Sequence, residues 1–174
     1  MKTVITPTDK ERFFSEDDII VSKTDLKGRM TYVNETFCAI AGYSEEELIG
    51  QPHSLIRHPD MPRAVFKLLW DTIMEGREIF AYVKNMARTG DYYWVLAHVT
   101  PSFDGNKKIV GYHSNRRVPN PAIVKNTIVP VYADVLREEK RHRNGQEALA
   151  SSFEFLVNFV KSKNMTYDAL VFSL

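Results

Sequence analysis

The sequence is poor in the residues and runs that mark several classes of protein. Its 174 residues include one cysteine, Cys38, which excludes an internal disulfide framework and suits a reducing, cytoplasmic compartment. No apolar run approaches the roughly 18 residues that span a bilayer, and the N-terminal residues lack the apolar core of a secretory signal. With a net charge of +1, bulk electrostatics gives no reason to expect nucleic acid as a partner.

Motifs for catalysis and metal binding are also missing. The sequence contains no GxGxxG, GxxxxGK[ST], GxSxG or HExxH pattern. Its five histidines are scattered, without cysteine or histidine neighbours at metal-ligand spacings. The basic cluster at residues 137–143 alternates in sign, which is typical of a solvated helix face. We therefore expect neither an enzyme nor a metal site.

The pattern along residues 19–118 predicts an α+β domain. Two β-type runs flank a polar turn that ends at Gly28. Short helices follow, one capped by Asn34 and a stronger one capped by Asp60, with Pro62 in its first turn. Three strands joined by short turns complete the order. This order predicts a five-stranded antiparallel sheet with short helices packed on one face.

Segments of different character flank this domain. Residues 1–18 are polar and are predicted to form an N-terminal cap segment. Two prolines interrupt the pattern at VPNP, so residues 119–174 are predicted to form a C-terminal helical extension. Apolar residues recur there at helical spacing along Ile128–Leu136, the first stripe, and along Leu149–Val160, the second stripe.

The stretch LIRHPDMPRAVF places Arg57, His58 and Asp60 together at a helix entrance stiffened by prolines. A helix N-terminus offers free N–H groups and a positive dipole, which favour an anionic or electron-rich ligand. Arg57 suits a pyrophosphate or an anionic ring, and His58 could hydrogen-bond such a ligand or titrate with it. The alternative is a surface loop with a helix cap and an ion pair.

The element order and the phrases TDLKGRMTYVNETFCAIAGYSEEELIGQP and GDYYWVLAHVTPSFDGNKKIVGYHS resemble PAS sensory domains. Within that superfamily, GQPHSLIRHPDMPRAVFKLLWDTIMEG and VKNMARTGDYYWV resemble the PAS domains of Aer-type aerotaxis receptors, over residues 20–118. The resemblance implies a PAS fold, non-covalent FAD and redox sensing for chemotaxis. It implies flavin-binding roles for Arg57, His58 and Asp60. Haem, which some PAS oxygen sensors bind through histidine, and a ligand-free interaction module are the alternatives.

Four further residues are candidates for cofactor binding. Asn85 shares a strand face with apolar residues and needs a polar partner there. The segment also resembles flavin-binding LOV photosensors, which implies flavin contacts for Asn85 and for His113, although His113 could equally be a surface residue. Trp70 could stack on a flat cofactor or belong to the core. Asn34 is chiefly a helix cap near the expected pocket mouth.

The resemblance also implies a partner. Aer-type receptors continue into a membrane anchor and a methyl-accepting signalling domain, whereas this sequence ends at Leu174. It resembles in this respect the split energy-taxis systems, in which a CetB-like PAS protein carries the flavin and a separate membrane receptor carries the output. The two stripes are predicted to bind the cytoplasmic region of such a receptor, or a second copy of the chain. The alternative is that they pack back onto the PAS domain.

Overall fold

The computed structural model describes residues 5–174 and contains the predicted five-stranded antiparallel sheet. The strands lie in the spatial order β2-β1-β5-β4-β3, and each neighbouring pair is antiparallel. Their bounds are β1 Ile20–Thr24, β2 Met30–Val33, β3 Ile79–Met86, β4 Tyr92–Phe103 and β5 Ile109–Arg117. The order leaves β2 and β3 at the two edges of the sheet, and the fold class predicted from the sequence is confirmed.

Helices precede β3 and follow β5. The first group is α1 Glu35–Ala41, α2 Glu45–Leu48, a 3-10 helix His53–Ile56 and α3 Arg63–Met74. The second group is α4 Pro121–Ile123, a π-helical turn Val124–Ile128, α5 Val129–Glu139, α6 Gly145–Ser162 and α7 Tyr167–Ser173. The π-helical turn lies just before Pro130, which has no N–H to donate to an uninterrupted α-helical ladder. The seven-residue α7 is an element that periodicity did not predict.

Asn34 forms its predicted cap, whereas Asp60 does not. The Oδ1 atom of Asn34 accepts from the backbone N–H of Phe37, 3.1 Å away, at the start of α1. Helix α3 begins only at Arg63, after an extended Pro62 that occupies the N-cap position without a side-chain bond. Asp60 is therefore too far from the first turn, and its carboxylate instead pairs with Lys84 Nζ at 2.9 Å.

The open N-terminus of α3 is capped from the C-terminal extension. Glu139, the last residue of α5, accepts at Oε1 from the backbone N–H groups of Arg63 and Ala64, at 2.6 and 3.2 Å. These N–H groups have no partner within their own helix, and a carboxylate also complements the positive end of the helix dipole. An acidic side chain 76 positions away thus does what Asp60 was expected to do.

The first stripe packs on the sheet face opposite α1–α3. Ile128, Tyr132 and Val135 are buried, and the Tyr132 hydroxyl donates to the Tyr82 carbonyl at 2.6 Å. The Tyr132 ring also lies 6.2 Å from the ring of Trp94, on β4. Around Trp94, this face of the sheet is therefore covered by α5 rather than by solvent.

The second stripe packs on α3 and α5, so that the extension passes around edge strand β3. Leu156 is buried, Phe153 lies under Lys67 Nζ at 4.9 Å, and Phe172 of α7 packs against Phe80 of β3. Both stripes are largely covered by the chain itself, which corrects the expectation that they remain free for a partner. None of the helices in residues 5–174 is long and apolar enough to cross a membrane.

The predicted N-terminal cap segment follows the turn between β3 and β4. The backbone N–H of Thr8 donates to the Gly90 carbonyl at 2.8 Å, and that of Arg12 donates to the Tyr92 carbonyl at 2.7 Å. Residues 1–4 of the segment lie outside the described residues. The three-segment division of the chain remains a prediction, although the last strand ends at Arg117, close to the expected boundary.

Replacing Tyr132 by phenylalanine should lower the free energy of unfolding by about 1–2 kcal/mol, because a buried carbonyl then loses its donor while the ring stays. Urea unfolding measures the loss. Tyr32→Phe, at an exposed ring on β2, is the matched control and should change stability by less than about 0.5 kcal/mol. Equal stability of the two variants would mean that the docked position of α5 is not held by this bond.

Candidate functional site

A cavity of about 530 Å³ lies between the sheet and α3. Its walls come from β1, β3, β4 and β5, from the 3-10 helix, from α3, and from one residue of α6, Leu149. Much of the lining is apolar: Phe66, Leu69, Trp70, Ile73, Val83, Ala97 and Val99. This size and lining are typical of a small-molecule or cofactor site.

Three polar groups that line this cavity lack a hydrogen-bond partner among residues 5–174. They are Nδ2 of Asn85, Oγ of Ser114 and Nη1 of Arg116, and all three atoms are buried. A buried polar group without a partner costs about 1–3 kcal/mol, so three around one cavity need a physical reason. Their common position indicates a ligand with several hydrogen-bond acceptors.

Arg116 is the unusual member of this set because its charge is buried. The residue is 5% exposed, and Nη2 donates to Ser22 Oγ at 2.9 Å and to His53 Nε2 at 2.6 Å. In the part of the chain that the structure describes, no carboxylate pairs with it. Burial lowers the pKa of Arg116 to about 10, so the group is still a cation at neutral pH. A buried cation without a counter-ion is costly to the fold.

His53 is fixed by its contact with Arg116. A guanidinium only donates hydrogen bonds, so Nε2 of His53 accepts and its ring proton resides on Nδ1. Burial first, and then the charge of Arg116, lower the pKa of His53 to about 3. The ring is therefore neutral across the physiological range and leaves the full positive charge of Arg116 facing the cavity.

Arg57, one of the predicted cofactor-binding residues, is among the residues that line the cavity. Its guanidinium stacks over the Phe66 ring at 4.1 Å and makes a long 3.5 Å bond to the Met61 carbonyl. Burial lowers its pKa, the carboxylate of Glu139 raises it, and the charge of Arg63 lowers it. Arg57 thus supplies a half-buried positive charge, whose one side-chain hydrogen bond within residues 5–174 is the long bond to Met61.

His58 and Asp60 lie outside the residues that line the cavity. Nδ1 of His58 accepts from the backbone N–H of Asp60 at 3.1 Å, and the ring packs edge-on against Tyr92. The hydrogen bond from Lys84 lowers the pKa of Asp60. Arg57 forms an isolated antiparallel bridge with Asn85, so this segment runs along edge strand β3. The two residues contact the loop that carries Arg57 but do not line the cavity, and Nε2 of His58 is buried without a hydrogen-bond partner among residues 5–174. Their role in ligand binding stays a prediction.

The three remaining candidates for cofactor binding also differ in whether their side chains face the cavity. Trp70 lines the cavity, with its ring edge-on to Tyr112 at 5.4 Å. Asn34 uses its whole amide for structure: Oδ1 also accepts from the Val21 N–H, and Nδ2 donates to the Ile19 carbonyl. His113 borders the cavity, but strand alternation turns its side chain to the opposite sheet face from Ser114 and Arg116.

Sequence reasoning missed several polar residues that line the cavity from the strands or the 3-10 helix: Ser22, His53, Ser114 and Arg116. Ser22 pairs with Ser114 across β1 and β5, and Arg116 pairs with Ala97 across β5 and β4. The segment SNRR resembles an exposed strand end, so composition gave no signal. Only the strand register reveals that Arg116 faces the cavity, because residues two apart on β5 lie on the same face of the sheet. Within residues 5–174, no group of three or more His, Cys, Asp or Glu side chains could hold a metal.

The family model that describes the PAS fold matches residues 30–116, half of the chain. The chain belongs to the PAS family. Its PAS region is 43% identical over 102 residues to the aerotaxis receptor of Escherichia coli K12, which covers 59% of this chain and 20% of that receptor. It is 28% identical over 99 residues to the nitrogen fixation regulatory protein of Klebsiella pneumoniae, covering 57% of this chain and 20% of that protein.

Solved structures show the same fold. The blue-light photoreceptor Aureochrome1 LOV, in its light state, matches 63% of this PAS chain and 88% of its own with a TM-score of 0.58, at 19% identity. The biofilm dispersion protein BdlA of Pseudomonas aeruginosa is a further relative, 27% identical over 95 residues, covering 52% of this chain and 23% of BdlA. The chain thus spans about a fifth of the length of the curated relatives named here.

Proposed function

We propose that the chain is a sensory PAS protein that holds FAD non-covalently in the cavity and reports cellular redox state. The observation that carries the proposal is the convergence on one apolar-walled cavity of buried groups of Asn85, Ser114 and Arg116 that have no hydrogen-bond partner within residues 5–174. A flavin ring is flat and apolar on its faces, and carries carbonyl and nitrogen acceptors along its edge. The cavity offers a complementary wall and complementary donors.

The residues that would hold the cofactor follow from their positions. Trp70 and the apolar side chains would contact the ring faces, while Asn85, Ser114 and Arg116 would donate to its polar edge. Arg57 and Arg63 also line the cavity, and guanidinium groups bind phosphates well. The bound flavin would supply reversible storage of electrons. Nothing in this arrangement requires the chain to be an enzyme.

His58 and Asp60 would act on the cofactor indirectly. Their contacts with each other and with Lys84 hold the loop on β3, next to the bridge between Arg57 and Asn85. Losing them would shift two ligand-facing residues at once. This keeps the flavin role expected for the RHPD motif but changes its physical basis.

Haem fits the cavity less well. It needs an axial ligand, and the two cavity-bordering histidines are poorly placed to provide one. Nε2 of His53 already accepts from Arg116, so a metal there would sit against a guanidinium. The side chain of His113 belongs to the other sheet face. Neither histidine offers a free nitrogen to the cavity.

The relatives suggest where the signal goes. One of them is named an aerotaxis receptor and another a biofilm dispersion protein. For this chain we therefore favour energy taxis as the process, with a membrane chemoreceptor of the methyl-accepting type as partner, bound through its cytoplasmic region. A homodimer is the second arrangement. The surface involved differs from the two stripes, because these are packed within the chain.

An absorption spectrum of the purified protein tests the cofactor. The expected result is a pair of flavin bands in the blue and near-ultraviolet, with FAD identified by mass after denaturation. A Soret band would identify haem as the cofactor and contradict the proposal. Failure to take up added FAD, from a preparation that is folded by circular dichroism, would leave a ligand-free interaction module.

Replacing Asn85 by alanine should weaken FAD binding about 3- to 10-fold, as expected for loss of one hydrogen bond of about 0.5–1.5 kcal/mol. Fluorescence titration of the apoprotein with FAD measures this. Asn115→Ala is the matched control, since Asn115 belongs to the opposite sheet face and contacts His98. Equal affinity of both variants would remove Asn85 from the site.

A further inference from the structure

The C-terminal extension contributes directly to the cavity. Leu149, in the second turn of α6, is one of its lining residues. Arg63, which also lines the cavity, donates from Nη1 to the Gly145 carbonyl at the start of α6, at 3.0 Å. The PAS family model ends at residue 116, so this wall is added from outside the part of the chain that the family model matches.

Polar contacts make α5 and α6 one body that is joined to α3. Glu138 accepts from the Ser151 hydroxyl, and Glu139 accepts from Ser152 Oγ at 3.3 Å. The same Glu139 carboxylate caps α3 at Arg63 and Ala64. Glu139 therefore joins three helices at one point, and any motion of α6 away from the cavity has to disturb this junction.

The carboxylate at this junction is also linked electrostatically to the residues that line the cavity. Glu139 accepts from the backbone N–H of Arg63, whose side chain lines the cavity together with Arg57, and the charge of Glu139 raises the pKa of Arg57. Arg57 lines the cavity and Glu139 caps the N-terminus of α3, so a negatively charged ligand would compete with Glu139 for the charge of Arg57. The cavity and the extension thus share one charge network.

We propose that helix α6, held in place by α5, completes the flavin site, so that cofactor retention and docking of the extension form one linked equilibrium. The inference rests on the proposed function, since it takes FAD as the ligand. Linkage requires reciprocity: if the docked extension slows release of FAD, bound FAD must favour the docked extension by the same free energy. The extension is then both a wall of the site and the element that reports whether the site is filled.

Two substitutions test the wall and the junction separately. Leu149→Ala removes apolar contact at the cavity, and Glu139→Ala removes the cap that holds α5 to α3. Each should raise the dissociation rate of FAD about 5- to 10-fold, because losses of contact appear mostly in the off-rate. Glu154→Ala is the matched control: it removes a carboxylate that is exposed on the same helix α6, so its rate should stay within about twofold of the unchanged chain.

Hydrogen exchange supplies the reciprocal readout. Amides of residues 145–162 should exchange more slowly with FAD bound than without it, and Glu139→Ala should reduce this difference. If FAD binds but neither the off-rates nor the exchange of α6 respond, the inference is overturned while the proposed function stands. If the unchanged chain takes up no FAD, the proposed function fails and this inference fails with it.

Discussion

Arg116→Gln should leave the purified protein largely without flavin, with the dissociation constant for FAD raised about 100-fold. That factor corresponds to about 3 kcal/mol, the upper range for a hydrogen bond to a charged group. The buried Nη1 atom has no partner within residues 5–174, so the ligand would be the group that uses it. Glutamine retains a donor and much of the length but removes the charge.

The same substitution should make the apoprotein more stable. Without ligand, the fold bears the cost of a buried cation whose neighbours are Ser22, a neutral His53 and, at 5.5 Å, the Phe37 ring. Removing the charge relieves that cost, by about 1 kcal/mol or more in urea unfolding. Weaker binding together with higher stability is the pattern of a residue kept for a ligand. A structural residue would lose both.

Arg117→Gln is the matched control for both measurements. Arg117 is the next residue on β5, is exposed, and belongs to the opposite sheet face. Its loss removes the same formal charge from the chain, so general electrostatic effects cancel in the comparison. If the two variants retained equal amounts of FAD, Arg116 would have no special place in the site.

Features that depend on neighbouring residues follow from the sequence, whereas features that depend on distant partners do not. Helix α1 and its Asn34 cap follow from a few neighbouring residues, and so do the hairpins. The missed features depend on partners far along the chain. Glu139 caps α3 from 76 positions away, and the inward position of Arg116 depends on the register between β5 and β4. Spacing rules do not carry that information.

The candidate site also combines residues that local patterns identify with residues that they do not. Asn85 was found because a polar residue on an apolar strand face is a local anomaly. Arg57 was found because the motif is dense in charge. The flavin roles of His58 and Asp60 were implied by the family resemblance, whereas the Asp60 carboxylate accepts from Lys84 and Nδ1 of His58 accepts from the Asp60 backbone. Arg57 lies in a bridge to β3 while Pro59 and Asp60 lie in a turn, so a compact motif need not face one ligand.

His53 should make the protein sensitive to mild acid. Its pKa is about 3 in the folded chain, lowered by burial and by the charge of Arg116, and about 6.5 when unfolded. Between these values the unfolded state binds more protons, so stability falls as the pH decreases below about 6.5. The slope is at most about 1.4 kcal/mol per pH unit, which gives a loss of about 2 kcal/mol between pH 7 and pH 5.

Urea unfolding of the apoprotein at pH 7, 6 and 5 measures the effect. This range lies above the usual titration of carboxylates, so histidines dominate it. His58 and His113 act in the same direction, because burial lowers both pKa values. His53→Gln keeps an oxygen that can accept from Arg116 but cannot titrate, so this variant should lose less stability on acidification. His142→Gln, outside the cavity, should keep the full slope.

The acid response bears on the site as well as on the fold. A protonated His53 could no longer accept from Nη2 of Arg116, and two positive charges would face each other at the current 2.6 Å. The guanidinium would have to move, and FAD affinity should fall over the same pH range as stability. In His53→Gln both dependences should flatten together. If the variant kept the slope of the unchanged chain, the result would contradict the claim that a neutral His53 holds Arg116 toward the cavity.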